Sequence, residues 1–528
     1  MYFATNSEGF PVTQLIYLAL PVIISLSWMK YRGLEYILVN YRWIFVIFFL
    51  MPVSLIYDVY MFIRNWYVFK VNSAPHKHTE KVAIVQSQVK AWRECGSDKP
   101  MCTGRPGWQA VSLREGKYKK ELRKIYIDLV DVLEVNTDRQ VVRVEPLATM
   151  GQVSATLLPL GWTLPVVPEL DDLTVGGLIM GVGVETSSHK YGLVQHVCEA
   201  YELVLADGSC VRCSKDENPD LFYAVPWSHG TLGFLVAAEI RIIPAKKWVK
   251  LSYKPVHSFQ DITKVFKAEL VKKTGNDFVE GLVYSYNSAV IMTGEMVDEP
   301  EPNKINRIGD YYKPWFFKHV EGFLESGPRV EYIPLRHYYH RHTRAIFWQI
   351  QDIIPFGNHP LFRYLFGWMV PPKISLLKLT QGETIKNMYT KNQIIQDMLV
   401  PVDRLPESLT CFHNEIKLYP LWLGPFMLFN NPGFVHPRGE QSEELYVDIG
   451  AYGAPKVDNY HHIQTTRRLE AFVKKVDGFQ MLYADSYLTR DEFRLMFDHS
   501  LYDKMRKKLG CEKAFPEIYD KVNINARA

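Results

Sequence analysis

At 528 residues, with 47% hydrophobic and 22% charged side chains and a formal net charge of +4, the chain has the make-up of a multi-domain globular protein. That excludes a disordered chain, a collagen-like repeat and a polytopic transporter, and it gives no support to nucleic-acid binding by the whole chain. Seven cysteines, an odd and sparse set, argue against a secreted disulfide scaffold.

Much of the apolar load sits in the first 70 residues. Gly9 to Met29 has no charged side chain and suits one bilayer-crossing helix, although Pro21 would kink it. A second run, Trp43 to Ile63, carries one acid, Asp58, and one interior proline, Pro52. Lys30, Arg32 and Arg42 lie between the runs and Arg64, Lys70 and Lys77 follow, so the positive-inside rule does not orient them. There is no basic n-region or small-x-small cleavage site to mark a signal peptide. Aromatic clusters such as Trp43, Phe45, Phe48 and Phe49 argue against two buried core helices. Residues 1–70 read as a membrane anchor. It is either two spans or a hairpin, or one span beside an interfacial helix.

From about Pro75 the texture is soluble. Val82 to Trp92 has helix periodicity, Ile125 to Val130 and Gln140 to Val144 alternate like strands, and Val153 to Leu160 reads as a helix stopped by Gly161. Glu202 to Leu205 and Cys210 to Cys213 flank the turn Asp207-Gly208 as a hairpin. Phe234 to Ile243 reads as a buried strand ended by Pro244. Further on, strands are expected at Gly281 to Tyr286 and Ala289 to Met296, and an amphipathic helix over Asp491 to Lys508.

The densest signal is Thr174, Val175, Gly176, Gly177, Leu178, Ile179, Met180, Gly181, Val182, Gly183, Val184, Glu185 and Thr186. It is neither a Rossmann nor a P-loop motif. Its glycines let a backbone come close to a bulky ligand, and consecutive N–H groups in such a loop form an anion-binding concavity. A Gly-rich structural turn is the competing reading. Around it, in order, stand Thr103 to Trp108, Arg143 to Leu147 with Gly151, Leu160 to Pro165, Leu205 to Gly208, Asn218 to Ala224, and Gly230-Thr-Leu-Gly-Phe234.

In that order the motifs resemble the FAD-binding domain of the vanillyl-alcohol oxidase superfamily. Glu169 to Gly181, Ser187 to Leu193, Tyr201 to Gly208, Tyr311 to Lys318, Leu335 to His342, Gly367 to Pro372 and Leu482 to Asp485 further resemble the family of sterol Δ24-reductases. The resemblance implies an α+β fold with a two-subdomain FAD-binding domain and an α+β substrate cap. The implied division is a membrane anchor over 1–70, the FAD-binding domain over 71–245, the cap over 246–470, and a segment over 471–528 returning to the FAD domain. It implies FAD with flavin pyrophosphate along the glycine-loop amides, and reduction of a sterol side-chain double bond (desmosterol to cholesterol type) by NADPH. The membrane implied is that of the endoplasmic reticulum, or alternatively the Golgi, with the catalytic domain in the cytosol, where NADPH and reduced thiols belong. Trp108 and Gln109 stand where many superfamily members carry a flavin-bound histidine, so the FAD is expected to be non-covalent. His189 is expected to satisfy backbone groups rather than tether flavin.

An isolated alkene accepts hydride from flavin N5 only if C24 is protonated, which leaves cationic character at C25. The site then needs a positioned acid, aromatic faces and exclusion of water. Candidates are Tyr446, Asp448, Tyr452, Tyr483, Asp485 and Tyr487, which strand alternation could gather on one face. Asp485, kept protonated by burial, and Tyr483 are the leading catalytic pair. The cluster of His337, His340, His342 with Arg336, Arg341 and Arg344 lacks the carboxylates or cysteines of a metal site. A rim for NADPH phosphates and a solvated basic helix face both fit it. Cys210 and Cys213 read as structural thiols. Two other functions remain open: a flavin oxidase or dehydrogenase of a carbinol such as a sugar lactone, and a membrane-tethered sterol-binding protein.

Overall fold

The second apolar run has no glycine and folds as one helix, α1 (Arg42–Val71), 30 residues long and able to cross a bilayer by length and composition. Pro52 lacks the N–H that would bond back one turn, and the turn just before it, 46–50, widens to π spacing and takes up the break. Only 11% of its most apolar stretch is buried. The computed structural model describes residues 24, 27–33, 36–37, 40–96, 99–110, 116–271 and 275–526, so most of the run from Gly9 to Met29 lies outside the described residues.

Next comes α2 (His78–Glu94), which buries Val82, Val85 and Val89 along one face. A short parallel pair joins β1 (Met101–Thr103) to β2 (Arg123–Ile125). The strand expected over Ile125 to Val130 stops at its first residue. The Gln88 side chain takes both backbone groups of Tyr126, donating to its carbonyl at 2.8 Å and accepting its N–H at 2.9 Å, which leaves no ladder to extend.

The first large sheet uses β3 (Val132–Asn136), β4 (Val141–Val144), β6 (Cys198–Val204), β7 (Cys210–Ser214) and β8 (Phe234–Arg241), in the order β3-β4-β8-β6-β7 with every pair antiparallel. The turn between β6 and β7 is held by Asp207 accepting from the Ser209 N–H at 2.8 Å, with Gly208 at φ 83°. Between β4 and β6 lie α3 (Met150–Leu157), β5 (Trp162–Thr163) and α4 (Val175–Gly181). Helix α3 starts three residues earlier than its periodicity suggests because Thr149 caps it, accepting from the Gln152 N–H at 3.2 Å. Pro244 does not end the run after β8: it belongs to β9 (Ile243–Pro244), an edge pair with β5.

The second sheet has eight strands: β10 (Trp248–Val256), β11 (Phe278–Ser285), β12 (Ser288–Val297), β13 (Arg329–Pro334), β14 (Ile394–Pro401), β15 (Leu421–Phe429), β16 (Glu443–Gly453) and β17 (Phe479–Gln480). Their order is β13-β10-β12-β11-β15-β16-β14-β17. Helices α5 (Phe259–Leu270), α6 (Pro360–Phe366), α7 (Ile374–Thr380), α8 (Glu383–Asn392), α9 (Leu405–Glu415) and α10 (His462–Lys475) are interspersed. Alternation sends Val447, Ile449 and Ala451 of β16 to a face covered by α5, α9 and α10, where they pack with Phe266, Phe412 and Leu469. Tyr446, Asp448, Gly450 and Tyr452 therefore point to the opposite face, which fronts the first sheet's side of the molecule.

The helix expected over Asp491 to Lys508 is two helices, α11 (Arg490–Met496) and α12 (Ser500–Lys508). Between them the Asp498 N–H donates to the Phe434 carbonyl at 3.0 Å, and Asp498 Oδ1 accepts from the Ser500 N–H at 2.8 Å to start the second helix. The Tyr502 hydroxyl lies 2.7 Å from Thr231 Oγ1, and Arg506 donates to the Thr231 carbonyl at 3.0 Å, tying α12 to the loop before β8.

Candidate active site

The glycine segment is not the open loop its composition suggests. From Thr174, whose hydroxyl accepts from the Gly177 N–H at 3.3 Å, it winds through α4 and leaves it at Val182, a β-branched residue at φ 65°. Such a conformation costs ~1–3 kcal/mol and persists where its surroundings impose it. Helical winding also sorts the segment. Val175 and Ile179, one turn apart, face the core, and Thr186 is buried with its hydroxyl 3.1 Å from Tyr338. The other expected residues, Thr174, Gly176, Gly177, Leu178, Met180, Gly181, Val182, Gly183, Val184 and Glu185, line a cavity of about 930 Å³.

That cavity suits an anionic, bulky ligand at its glycine end. Among the described residues a Cβ at Gly181 would meet only the His229 ring, at 3.6 Å, and one at Gly177 only the Thr174 hydroxyl, at 3.0 Å, so added side chains would project into the ligand space. Lys119 lines it too. Its amine is surrounded by neutral acceptors, the Thr103 carbonyl and hydroxyl and the Arg105 carbonyl at 2.9 Å, and burial lowers its pKa to about 8. Arg105 donates to Thr174 Oγ1 at 3.3 Å and to the Gln109 carbonyl. Half-buried cations with neutral partners beside a glycine-lined wall are a donor set for a pyrophosphate. These residues fit FAD.

The far wall of the same cavity carries Asp397, Trp422, Tyr452, Tyr483 and Asp485, with Phe347. The Tyr452 and Tyr483 hydroxyls both donate to Asp397. Gly450 makes this possible, because a Cβ there would stand 2.6 Å from the Tyr452 hydroxyl and 3.1 Å from Asp397 Oδ1. Asp397 pairs opposite Gly450, and Asp448 opposite Leu399, so the two carboxyls are diagonal neighbours on one face of adjacent strands. Burial pushes both pKa values up, and Asp448, with no hydrogen-bond partner at either oxygen among the described residues, is raised furthest, further still by the Asp397 charge. Asp485 lines the cavity half-buried, and its backbone carbonyl accepts from Gln396 at 2.7 Å. Tyr483 thus engages the Asp397 carboxyl, while Asp485 stands on the same wall. The sequence carried a signal for it, a single acid at an inward position of the apolar run Ile394 to Pro401. Tyr446 sits on the same strand face but bonds the Asp477 carbonyl at 3.1 Å, and Tyr487 offers its carbonyl to Arg467.

The basic cluster is largely paired within the protein rather than displayed as one solvated face. Arg341 is buried and donates to both oxygens of Glu280, at 2.7 and 2.9 Å, and its charge holds the Glu280 carboxyl far below the usual range although burial opposes this. Arg336 pairs with Asp171 at 2.5 Å, and Arg344 donates to the carbonyls of Ile308, Tyr311 and Lys313. The partners come from distant segments, which is why local sequence left them out. His189 lies between the Thr186 and Asn276 carbonyls, at 2.9 and 3.0 Å.

A family described as FAD binding domain matches residues 85–214, across α2, β1 to β7 and the glycine segment. The chain therefore falls in the class of FAD-binding flavoproteins. It is 62% identical to the Delta(24)-sterol reductase of Homo sapiens over 511 residues, 97% of this chain and 99% of that one. It is 46% identical to the Delta(24)-sterol reductase homolog of Caenorhabditis elegans, with 94% and 97% covered, and 41% identical to the Delta(24)-sterol reductase of Arabidopsis thaliana, with 94% and 92% covered. The chain belongs to the Delta(24)-sterol reductase family.

Proposed function

We propose that this chain is an FAD- and NADPH-dependent oxidoreductase that reduces the Δ24 side-chain double bond of a sterol. The observation that carries the reading is the single cavity whose glycine wall fits FAD and whose opposite wall holds an acid among aromatic rings. Bound FAD, once reduced by NADPH, supplies a hydride from N5 to the alkene. The chain supplies the rest. The Tyr483 hydroxyl stands in the cavity as proton donor to C24; burial favours the protonated Asp397 carboxyl, which in the reacting state donates its O–H to the Tyr483 oxygen and passes that proton on as the phenol gives up its own. Asp485, on the same wall, is the second acid to be tested. Phe347, Trp422 and Tyr452 offer ring faces to positive charge growing at C25 and exclude water from it.

FAD is held without a covalent bond by Thr174, the glycine wall of residues 176–185, and the cations Arg105 and Lys119. Residues 71–245 act as the FAD-binding domain, in two subdomains. Residues 246–470 form the substrate cap and 471–528 return to the FAD side by the contacts of α12 with Thr231, although α10 crosses that boundary and β17 still adds a strand to the cap sheet. The family and the exposed apolar α1 support a sterol-synthesising membrane enzyme. The endoplasmic reticulum, with the catalytic part in the cytosol, is the membrane proposed.

The test is anaerobic. NADPH should bleach the bound flavin, and desmosterol should restore its colour while yielding the saturated side chain. Bleaching by an alcohol or sugar lactone, with none by NADPH, would replace this reading with a carbinol dehydrogenase.

A further inference from the structure

The aromatic stretch around α6 has no part in the site. Pro360 to Met369 exposes Leu361 at 63%, Tyr364 at 61% and Trp368 at 54% of their surfaces, with Leu365 and Phe366 beside them. The one cation in the run is turned inward, since Arg363 donates to the carbonyls of Asn358, at 2.9 Å, and Tyr312. What remains outward is an apolar ridge with an aromatic edge, larger than scattered surface residues account for.

This ridge is continuous with α1. The Trp43 and Phe356 rings meet edge to face at 5.3 Å, the Tyr57 hydroxyl donates to Ser375 Oγ at 3.0 Å, and Met51–Trp66 packs on Gly367–Met369. One face of α1, including Phe45, Phe49 and Val53, lines the cavity opposite Ile374 and Leu377 of α7. Its other faces, with Phe48, Ile56 and Phe62, have little protein against them. A helix that apolar lies in lipid, so the cavity wall it forms borders lipid as well.

We infer that the α6 ridge is a second bilayer contact, embedded beside α1, and that the sterol passes from the leaflet into the cavity between α1 and α7. The occupant is lipid, because the ridge continues an apolar helix, and its Tyr and Trp suit the headgroup boundary. The entry route rests on the sterol-reductase reading; the bilayer contact does not.

The test uses the full chain in phosphatidylcholine vesicles, with Cys95 and Cys210 replaced by Ser and a fluorophore on Leu365→Cys or, as the remote control, Glu299→Cys. Acyl-chain nitroxide lipid should quench the label at 365 and aqueous iodide should not, with the reverse at 299. Quenching at 365 by iodide alone would overturn the contact. The double variant Leu361→Glu, Leu365→Glu should keep its flavin and its kcat. Its KM for sterol carried in vesicles should rise about tenfold, while KM for sterol on a water-soluble carrier stays unchanged. A KM that moves equally in both formats, or in neither, would overturn the entry route. Lipid quenching without any sterol turnover supports the contact and counts against the reductase reading alone.

Discussion

Asp397 accepts from two phenols, and Asp448 lies diagonal to it with both oxygens unpartnered among the described residues. The two acids should therefore behave differently when replaced. Tyr483→Phe and Asp397→Asn should keep the flavin spectrum and its bleaching by NADPH, yet slow reoxidation by sterol by ~10²–10⁴, as stopped-flow absorbance would record. If both reoxidise at the parent rate and Asp485→Asn does not, the proton comes from Asp485. Asp448 bears on stability. Burial raises its folded pKa above that of an unfolded aspartate, so the proton it holds favours the folded state. That contribution is complete below the unfolded carboxyl value of about 4 and is lost as pH rises through the raised folded value. Asp448→Asn has no proton to lose. Its melting temperature should gain on that of the parent as pH rises from about 4 towards neutrality, and a constant gap would refute the assignment. Tyr452 and Asp448 were legible in the sequence because alternation along a strand gathers polar groups on one face, whereas Tyr483, expected on a strand, lies in the turn after β17. Asp397 left only a faint signal, one acid in a mostly apolar run, because the partners that give it meaning lie on β16 and beyond β17.

At the scale of elements, the glycine segment is the clearest case of composition read correctly for openness and wrongly for shape. Four glycines suggested loop, but the Thr174 cap and the buried pair Val175 and Ile179 wind it into α4, and only the side turned from the core faces the cavity. Gly177→Leu should leave the fold intact by circular dichroism and abolish flavin copurification, because its Cβ would stand 3.0 Å from the Thr174 hydroxyl on the cavity wall. Full flavin content in that variant would move the pyrophosphate elsewhere. The basic cluster is the converse case. Charge was visible in Leu335 to Arg344, but its meaning depended on Glu280 and Asp171, brought in from separate elements, and the Arg341–Glu280 pair is buried where no local pattern could show it.

For the whole molecule, periodicity revealed strands and helices but not that they assemble as two sheets facing one cavity, because that depends on pairings such as β11 with β15 that join residues far apart in the chain. Cytosolic orientation is the matching prediction. Protease added to sealed microsomes should degrade the part beyond α1, and a protected catalytic part would place NADPH oxidation on the other side.

Because α1 gives one face to the cavity and the rest of its surface to its surroundings, the quantity that saturates this enzyme should be a mole fraction rather than a concentration. Adding vesicles of unchanged sterol content, at fixed protein, should leave the rate of a fully bound enzyme where it was. Diluting the same sterol into more phospholipid should lower the rate in proportion, even though the amount of sterol per millilitre is constant. An enzyme of this design measures the composition of its membrane.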